Sequence, residues 1–307
     1  MKWIAALLLV LASLPCSAQA IEEYFLNATV LIKHPVDAEH FSQGSGFLIL
    51  REITKDEVKH TSSYEIVLIT NKHVLPLEQS GHPQITVKIA IRNGDAVDVK
   101  EIPINILGAD GKFLKNVAMN PNPKVDVAAV NITREMSKED TQYMRRAKET
   151  GKAFILEALL PVNKFREAGV VIGSDVYLLG YPNGFSDPRN VSPILRVGII
   201  STEPDKDYSF GQAYSDAANL PVPIPGFLVD ANVYPGSSGS MVVRKPTRVP
   251  GFNSGSKSDL QYVLGIVADS IPMHDSGLNI DERMGLGVVF NSDTILETIN
   301  LLPKNSL

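Results

Sequence analysis

Short apolar runs separated by turn residues dominate the chain from residue 27 onward. Eleven of them are rich in β-branched residues or alternate apolar with polar positions: ATVLIKH, GSGFLIL, EIVLIT, ITVKIAI, VDVAAVNI, DVYLLGY, PILRVGII, GFLVDA, SMVV, YVLGIVA and GLGVVF. Runs of this kind, bounded by glycine, proline and asparagine, are typical of strands in a barrel or a sandwich. The pattern therefore predicts an all-β fold.

Two stretches have a helical pattern instead, and the first covers residues 137–150. Ser137 and Asp140 have the spacing of an N-terminal capping box, and Gly151 can end the helix. Because most of its positions are polar or charged, we expect a solvated connector.

The second helical stretch is C-terminal, at residues 292–302. Ser292 or Asp293 is the predicted N-cap. The apolar positions fall on one stripe, which consists of Ile295, Leu296, Ile299 and Leu302. A stripe of this kind predicts that the helix docks on the body of the protein.

The strand runs fall into two groups, which predicts two β-barrels within one domain. We expect an N-terminal barrel over residues 21–135, a partly helical linker over 136–170, and a C-terminal barrel with the terminal helix over 171–307. Residues 204–225 and 250–259 are rich in turn formers and predict surface loops.

Residues 1–20 have the layout of a secretory signal peptide. A basic residue precedes a short apolar run, and the small-x-small triplet AQA ends the segment at Ala20. The run is too short to span a bilayer. We therefore expect cleavage after Ala20, export to a bacterial periplasm or medium, and no membrane insertion of the mature chain.

Composition narrows the possible partners. The only cysteine is Cys16, so the mature chain can form neither a disulfide nor a cysteine nucleophile. The formal net charge is -5 and the 29 basic residues are spread along the chain, which predicts no nucleic-acid partner. No cluster has metal-ligand spacing, so we expect no cofactor.

The candidate nucleophile lies in VDANVYPGSSGSMVV, residues 229–243. A serine hydroxyl attacks a carbonyl only where a base takes its proton and backbone N–H groups face the developing oxyanion. Gly236 allows the tight turn that brings its own N–H and that of Ser238 together. Taken alone, however, a turn rich in glycine and serine is a weak signal.

A histidine and an aspartate in matching contexts strengthen the signal. His73 follows the apolar run EIVLIT, and Asp126 begins the run VDVAAVNI. The α/β-hydrolase elbow does not fit, because Ser240 occupies its last glycine position and the chain continues as a strand. The subtilisin order does not fit either, because it requires a helix after the nucleophilic serine. Only the order His73, Asp126, Ser238 on a β scaffold remains.

These motifs resemble the trypsin-like, chymotrypsin-fold serine peptidases, in particular the exported bacterial branch that includes the HtrA-type proteases. The resemblance rests on GSGFLI, LITNKHV, VDVAAV, LLGYPNG, VDANVYPGSSGSMVV, LGIVAD and GLGVVF, which follow one another in the family's order over nearly the whole mature chain. Since the sequence stops just after the terminal helix, we expect no PDZ domain.

The resemblance implies two perpendicular six-stranded antiparallel barrels with a catalytic cleft between them. His73 would be the general base, Asp126 would orient it, and Ser238 would attack the scissile bond of a protein or peptide substrate. The N–H groups of Gly236 and Ser238 would form the oxyanion hole. The implied substrate-binding residues are Asn232, Val233, Ala268, Asp269, Ser270 and Gly287.

Departures from the family pattern carry further expectations. Ser237 replaces the aspartate that pairs with a new N-terminus in zymogens, so activity would not require propeptide cleavage. Asn232 replaces the acid of trypsin-like pockets, and Val267 stands where glutamyl endopeptidases carry histidine. We therefore expect a preference for a small or medium uncharged side chain. Ser240 replaces the second glycine of the usual motif.

Two other functions stay open at this level. A catalytically silent member of the same fold could act as an exported binding or scaffold module. An unrelated exported β-sandwich, such as an adhesin or ligand-binding module, is the other alternative, but it treats seven ordered motifs as coincidence. The sequence leaves the oligomeric state open.

Overall fold

The computed structural model of the chain is mostly β. It describes residues 21–37, 39–56, 61–93, 96–139, 141, 156–217, 220–246, 260–275 and 280–304. The predicted signal peptide, the predicted loop 250–259 and most of the predicted helix 137–150 lie outside these ranges. The first turn of that helix is described, and there the Thr141 N–H donates to the Ser137 carbonyl at 3.0 Å.

Seven strands from the first half of the chain form one antiparallel sheet. They are β1 (Thr29–Pro35), β2 (Phe41–Asp56), β3 (Thr61–Thr70), β4 (Gln84–Asn93), β5 (Ala96–Asn105), β6 (Val117–Met119) and β7 (Ala128–Asn131). Their order in the sheet is β5-β4-β1-β2-β3-β7-β6. The sequence pattern predicts neither β5, which contains charged residues and a proline, nor β6, which has only three residues.

Six strands from the second half form a closed antiparallel barrel. They are β8 (Asp175–Gly180), β9 (Ile194–Ile200), β10 (Gly226–Asp230), β11 (Met241–Arg244), β12 (Val263–Asp275) and β13 (Ile280–Asn291). Around the barrel the order is β10-β13-β12-β11-β8-β9. The predicted all-β, chymotrypsin-like fold is confirmed, with the difference that the N-terminal sheet has seven strands where six are expected.

Three α-helices lie entirely within the described residues: α1 (Glu23–Ala28), α2 (Gln212–Ala217) and α3 (Ser292–Asn300). The terminal helix is where the sequence predicts it, and Ile295 and Ile299 are fully buried. The predicted N-cap is wrong, because the Asn291 side chain accepts the Thr294 N–H at 3.2 Å. The Ser292 hydroxyl instead donates to a distant backbone carbonyl.

The prediction of a surface loop over 204–225 is wrong in part. The segment contains α2, and two of its apolar side chains, Leu220 and Ile224, are buried. They pack in a hydrophobic cluster that also holds residues of both sheets and of α3. Burial of apolar side chains therefore fixes this segment against the body.

One hydrophobic cluster joins the two sheets. It includes Phe47 and Ile69 from the first sheet, Leu179 and Ile266 from the barrel, and Ile299 from α3. Residues of the predicted linker also pack inside the barrel core. The division into 21–135, 136–170 and 171–307 stays a prediction. No helix in the described ranges is both long enough and apolar enough to cross a bilayer.

Candidate active site

His73 and Asp126 meet because the strands next to them are paired. His73 lies in the short 3-10 turn Lys72–Val74 that follows β3, and Asp126 lies just before β7. Thr70, at the end of β3, pairs with Ala128, at the beginning of β7. The side chains of His73 and Asp126 therefore lie at the same end of the sheet.

The Asp126 carboxylate holds His73 at two points, its imidazole and its backbone N–H. Oδ2 hydrogen-bonds to His73 Nδ1, and Oδ1 accepts the His73 backbone N–H at 3.2 Å. Because an ionised carboxylate only accepts, Nδ1 carries the proton and Nε2 of the neutral ring is a free acceptor. The Asn71 side-chain amide donates to the Asp126 carbonyl at 2.5 Å and fixes that backbone.

The charge environment favours protonated His73. Burial lowers the pKa of His73, but the hydrogen bond and the charge of Asp126, together with the charge of Asp269, outweigh burial and raise the pKa above its usual value. Asp269 therefore influences the imidazole from across the cavity.

Ser238 lies in the loop between β10 and β11, opposite His73. Its carbonyl accepts the Ser45 N–H at 2.9 Å, and its hydroxyl donates to the Ala268 carbonyl at 3.2 Å. Ala268, His73 and Asp126 line the same cavity of about 830 Å³. His73 and Asp126 thus line one cavity, and Ser238 reaches it through its hydrogen bond to Ala268; the Ser238 hydroxyl is bonded to Ala268 and not to His73.

The backbone around Gly236 is held in a defined orientation. The Asn183 N–H donates to the Pro235 carbonyl at 2.6 Å. Because a trans peptide is planar, the Gly236 N–H points away from that carbonyl, to the opposite side. The Gly236 carbonyl accepts the Ser45 hydroxyl at 2.7 Å. Neither Gly236 N–H nor Ser238 N–H donates to any residue that the structure describes.

Only glycine fits at position 236. Its φ of +81° lies in the left-handed region, and a Cβ there would be 2.7 Å from the Tyr181 carbonyl oxygen. The turn in PGSSGS predicted from the sequence is therefore present and is set by this residue.

Arg196 of β9 donates hydrogen bonds to the loop that carries Ser238. Its Nη1 donates to the Asn232 carbonyl, and its Nη2 donates to the Ser237 hydroxyl at 3.1 Å. Burial lowers the pKa of Arg196, an effect that the nearby Tyr234 opposes. No carboxylate among the described residues lies within ion-pair distance of this guanidinium.

Three of the predicted substrate-binding residues lie on β12. Ala268 falls at a bulge, between Val267 and Asp269, where the register with β13 shifts. On its other side β12 pairs with β11 only as far as Ile266. Beyond that point no strand pairs with this edge of β12 in the described part of the chain, although the Ala268 carbonyl accepts the Ser238 hydroxyl and the Ser270 N–H donates to Asp269 Oδ1 at 2.7 Å.

The other predicted pocket residues cluster beside that edge. Gly287 pairs with Ser270, and a Cβ at Gly287 would be 2.7 Å from Val233 Cγ2. Val233 is buried, whereas Asn232 is exposed. The structure therefore brings Val233, Ser270 and Gly287 together, with Asn232 as the exposed chain neighbour of Val233.

Sequence reasoning missed three residues that shape the site: Ser45, Asn183 and Arg196. Ser45 and Asn183 lie in motifs that carry the family resemblance, but hydrogen bonds to a loop far along the chain leave no local pattern. Arg196 does leave a signal, a single charge within the apolar run PILRVGII. In the described residues, no group of three or more histidine, cysteine or acidic side chains is placed to hold a metal ion.

A comparison with protein-family models shows which family the chain belongs to. The family model of the trypsin-like peptidase domain matches residues 44–251. No curated protein sequence matches the chain significantly.

Several solved structures are similar in fold. The inactive form of the Rv3671c protease of M. tuberculosis is 18% identical, with 91% of this chain and 90% of that chain covered and a TM-score of 0.46. Deg5 is 14% identical, with 90% and 89% covered and a TM-score of 0.47. A serine endoprotease from Yersinia pestis is 16% identical, with 90% and 63% covered and a TM-score of 0.44. At such identities the likeness concerns the overall fold only.

Proposed function

Because the chain belongs to the family of the trypsin-like peptidase domain, we propose that it is a serine endopeptidase with His73, Asp126 and Ser238 as its catalytic residues. The observation that carries the proposal is an aspartate-bound imidazole in a cavity whose lining residue Ala268 accepts the hydroxyl of a loop serine, beside two backbone N–H groups that have no acceptor among the described residues. This is the set of groups that acyl transfer requires.

The first half of the reaction forms an acyl-enzyme. The Ser238 hydroxyl turns from the Ala268 carbonyl to His73 by a change of side-chain rotamer. Nε2 of His73 takes the hydroxyl proton while Oγ bonds to the scissile carbonyl carbon, whose C=O electron pair moves to oxygen. The C–N bond then breaks, and the proton on His73 goes to the leaving amine. Asp126 stabilises the imidazolium.

Water completes the cycle by the same steps. His73 takes a proton from the water, the water oxygen bonds to the acyl carbon, and the Ser238 Oγ leaves with the proton from His73. In both halves the negative oxygen would accept the N–H groups of Gly236 and Ser238. Removing one such donor typically costs about 100- to 1000-fold in kcat.

The edge of β12 beyond Ile266, where β11 no longer pairs with it, suits an extended peptide. A substrate strand that pairs with this edge near Ala268 would place its scissile carbonyl at Ser238, because Ala268 already contacts the Ser238 hydroxyl. The side chain before the scissile bond would enter the space beside Asn232, Val233 and Gly287. We propose that this pocket takes a small or medium uncharged side chain.

The same hydrogen bond supports one alternative, a catalytically silent binding module. With its hydroxyl on Ala268, Ser238 is not activated in the resting structure. Apo active sites often have such loose catalytic contacts, which tighten when substrate binds, so we favour the enzyme.

We further propose that the mature protein is exported after cleavage at Ala20. N-terminal sequencing of protein from a bacterial periplasm or medium should find Ile21 first. A mature N-terminus that begins at Met1 contradicts this proposal.

Turnover of a quenched fluorescent peptide library tests the enzymatic function. The wild type should cleave library members, and Ser238→Ala and His73→Ala should each lose the activity, because the remaining groups cannot form the acyl-enzyme. Asp110→Ala, which removes an exposed carboxylate outside the site, is the control and should keep wild-type rates. No cleavage by the folded wild type over pH 5 to 9 (roughly the range where imidazole titrates) supports the binding module instead.

A further inference from the structure

Besides the contacts of Ser238 itself with Ser45 and Ala268, four further hydrogen bonds anchor the loop that carries Ser238. Two anchors hold the peptides around Gly236: the Asn183 N–H on the Pro235 carbonyl, and the Ser45 hydroxyl on the Gly236 carbonyl. The other two come from one side chain, because the Arg196 guanidinium donates both to the Asn232 carbonyl and to the Ser237 hydroxyl. Arg196 therefore bridges the beginning of the loop and the residue just before the nucleophile.

The bridge connects the loop to a rigid element. Arg196 lies in β9, which pairs with β8 along six residues and with β10 at its end. Within the loop, the Ser237 N–H donates to the Tyr234 carbonyl and the Ser237 hydroxyl accepts the Tyr234 N–H. These local bonds shape the turn but attach it to nothing else. Its attachment to β9 runs through Arg196.

The charge of Arg196 makes this bridge unusual. A half-buried guanidinium is normally paired with a carboxylate, since an unpaired buried charge is costly. Arg196 has no carboxylate partner in the described residues, and its buried Nε has no hydrogen-bond partner there either. Its contacts are with neutral loop acceptors, and hydrogen bonds from a charged donor are roughly twice as strong as neutral ones.

We propose that Arg196 is a positioning residue, which holds the loop 232–238 so that the N–H groups of Gly236 and Ser238 face the substrate carbonyl. The inference rests on the proposed function of that loop. It assigns Arg196 no contact with substrate, so its loss should lower the rate of acylation and leave substrate binding nearly unchanged.

Steady-state kinetics of Arg196→Ala and Arg196→Lys test the proposal. For Arg196→Ala we expect kcat to fall at least about tenfold, short of the 100- to 1000-fold loss of a whole oxyanion donor, with KM nearly constant. Arg196→Lys should lie between this variant and the wild type, because one ammonium cannot replace the fork that reaches both acceptors. Arg189→Ala, which removes an exposed arginine paired with Asp187, is the matched control and should leave kcat unchanged.

Two readouts separate positioning from general destabilisation. Methylguanidinium, at concentrations far below those that unfold the protein, should restore part of kcat in Arg196→Ala and none in Arg189→Ala. Ser237→Ala should lower kcat less than Arg196→Ala does, and the double variant Arg196→Ala/Ser237→Ala should fall no further than Arg196→Ala alone, because both remove one interaction.

The outcomes are distinct. Wild-type turnover that disappears in Ser238→Ala, together with an unchanged kcat in Arg196→Ala, overturns the role of Arg196 and leaves the peptidase intact. An inactive wild type overturns both. If Arg196→Ala does not fold, Arg196→Lys decides: a wild-type kcat contradicts the proposal, and a reduced kcat with unchanged KM supports it.

Discussion

Arg51 and Arg196 both lie mostly out of solvent, but in different surroundings. Arg51 of β2 is 4% exposed and is paired with Glu65 of β3, with Nε at 3.0 Å from the carboxylate. Its other N–H groups donate to the carbonyls of Ile299, Leu302 and Pro303 at the end of α3. Arg196 donates to a carbonyl and a hydroxyl of the nucleophile loop and, within the described part of the chain, to no carboxylate.

The difference separates a structural charge from a functional one. Arg51 satisfies the open C-terminal carbonyls of a helix, where a cation is favourable, and its own charge is neutralised. Among the residues that the structure describes, Arg196 has no anionic partner, and the loop beside it has two backbone N–H groups without an acceptor. We infer that the first arginine stabilises the fold and that the second sets the geometry of the site.

We expect the largest effect from replacing Arg51, and we expect it on the stability of the fold. Arg51→Ala should lower the free energy of unfolding by about 3–5 kcal/mol, because it leaves Glu65 buried without its partner and frees the end of α3. Urea denaturation of the purified protein measures the change. Activity per folded molecule should stay at the wild-type level.

The control is a surface ion pair. Arg166→Ala breaks the exposed pair with Asp205 and should change stability little, because water screens that pair. A small effect of Arg51→Ala, similar to that of Arg166→Ala, would contradict the structural role of Arg51.

The next largest effect is expected at the loop itself. Gly236→Ala should lower kcat by about 100- to 1000-fold, because the new Cβ would clash with the Tyr181 carbonyl and move an oxyanion donor. Gly173→Ala is the matched control: its φ is +83°, compared with +81° at Gly236, but nothing lies within 4 Å of the added Cβ.

Both alanine variants share the same backbone strain, about 1–2 kcal/mol for a residue in the left-handed region. Only the clash and its consequence for the loop differ between them. Gly173→Ala should therefore lose stability while its kcat per folded molecule is kept. Equal kcat in the two variants would mean that the orientation at Gly236 is not needed.

The smallest effect is a shift in pH dependence. Asp269 contributes to the raised pKa of His73, so Asp269→Asn should lower that pKa. Because the general base must be neutral, the acidic limb of the kcat/KM profile should move to lower pH. Glu78→Gln removes another carboxylate that lines the cavity and should leave the limb in place. A limb that moves upward in Asp269→Asn contradicts this sign.

The parts of the fold that the sequence predicts are those with local causes. Short apolar runs that are β-branched or alternating mark all eleven predicted strands, and α3 follows from its buried stripe. β5 is missed because its outer positions are charged, and the cap at Asn291 is missed because Ser292 and Asp293 are equally good capping residues.

The residues of the candidate site also differ in whether a local sequence pattern predicts them. His73, Asp126 and Gly236 stand out because each follows or begins a recognisable local pattern. Arg196 acts on residues 36 and 41 positions away. That contact depends on the register of β9 in the barrel, which the sequence pattern does not contain.

The most direct test of Ser238 as the nucleophile is the position of a covalent fluorophosphonate adduct. Mature protein is labelled at neutral pH, digested, and the peptide that spans residues 229–243 is sequenced by mass spectrometry. We expect one adduct per molecule, on Ser238, in the wild type, in Ser240→Ala and, at a slower rate of labelling, in Ser237→Ala. We expect no adduct in Ser238→Ala. An adduct on Ser237 or Ser240, or stoichiometric labelling that persists in Ser238→Ala, would contradict this role of Ser238.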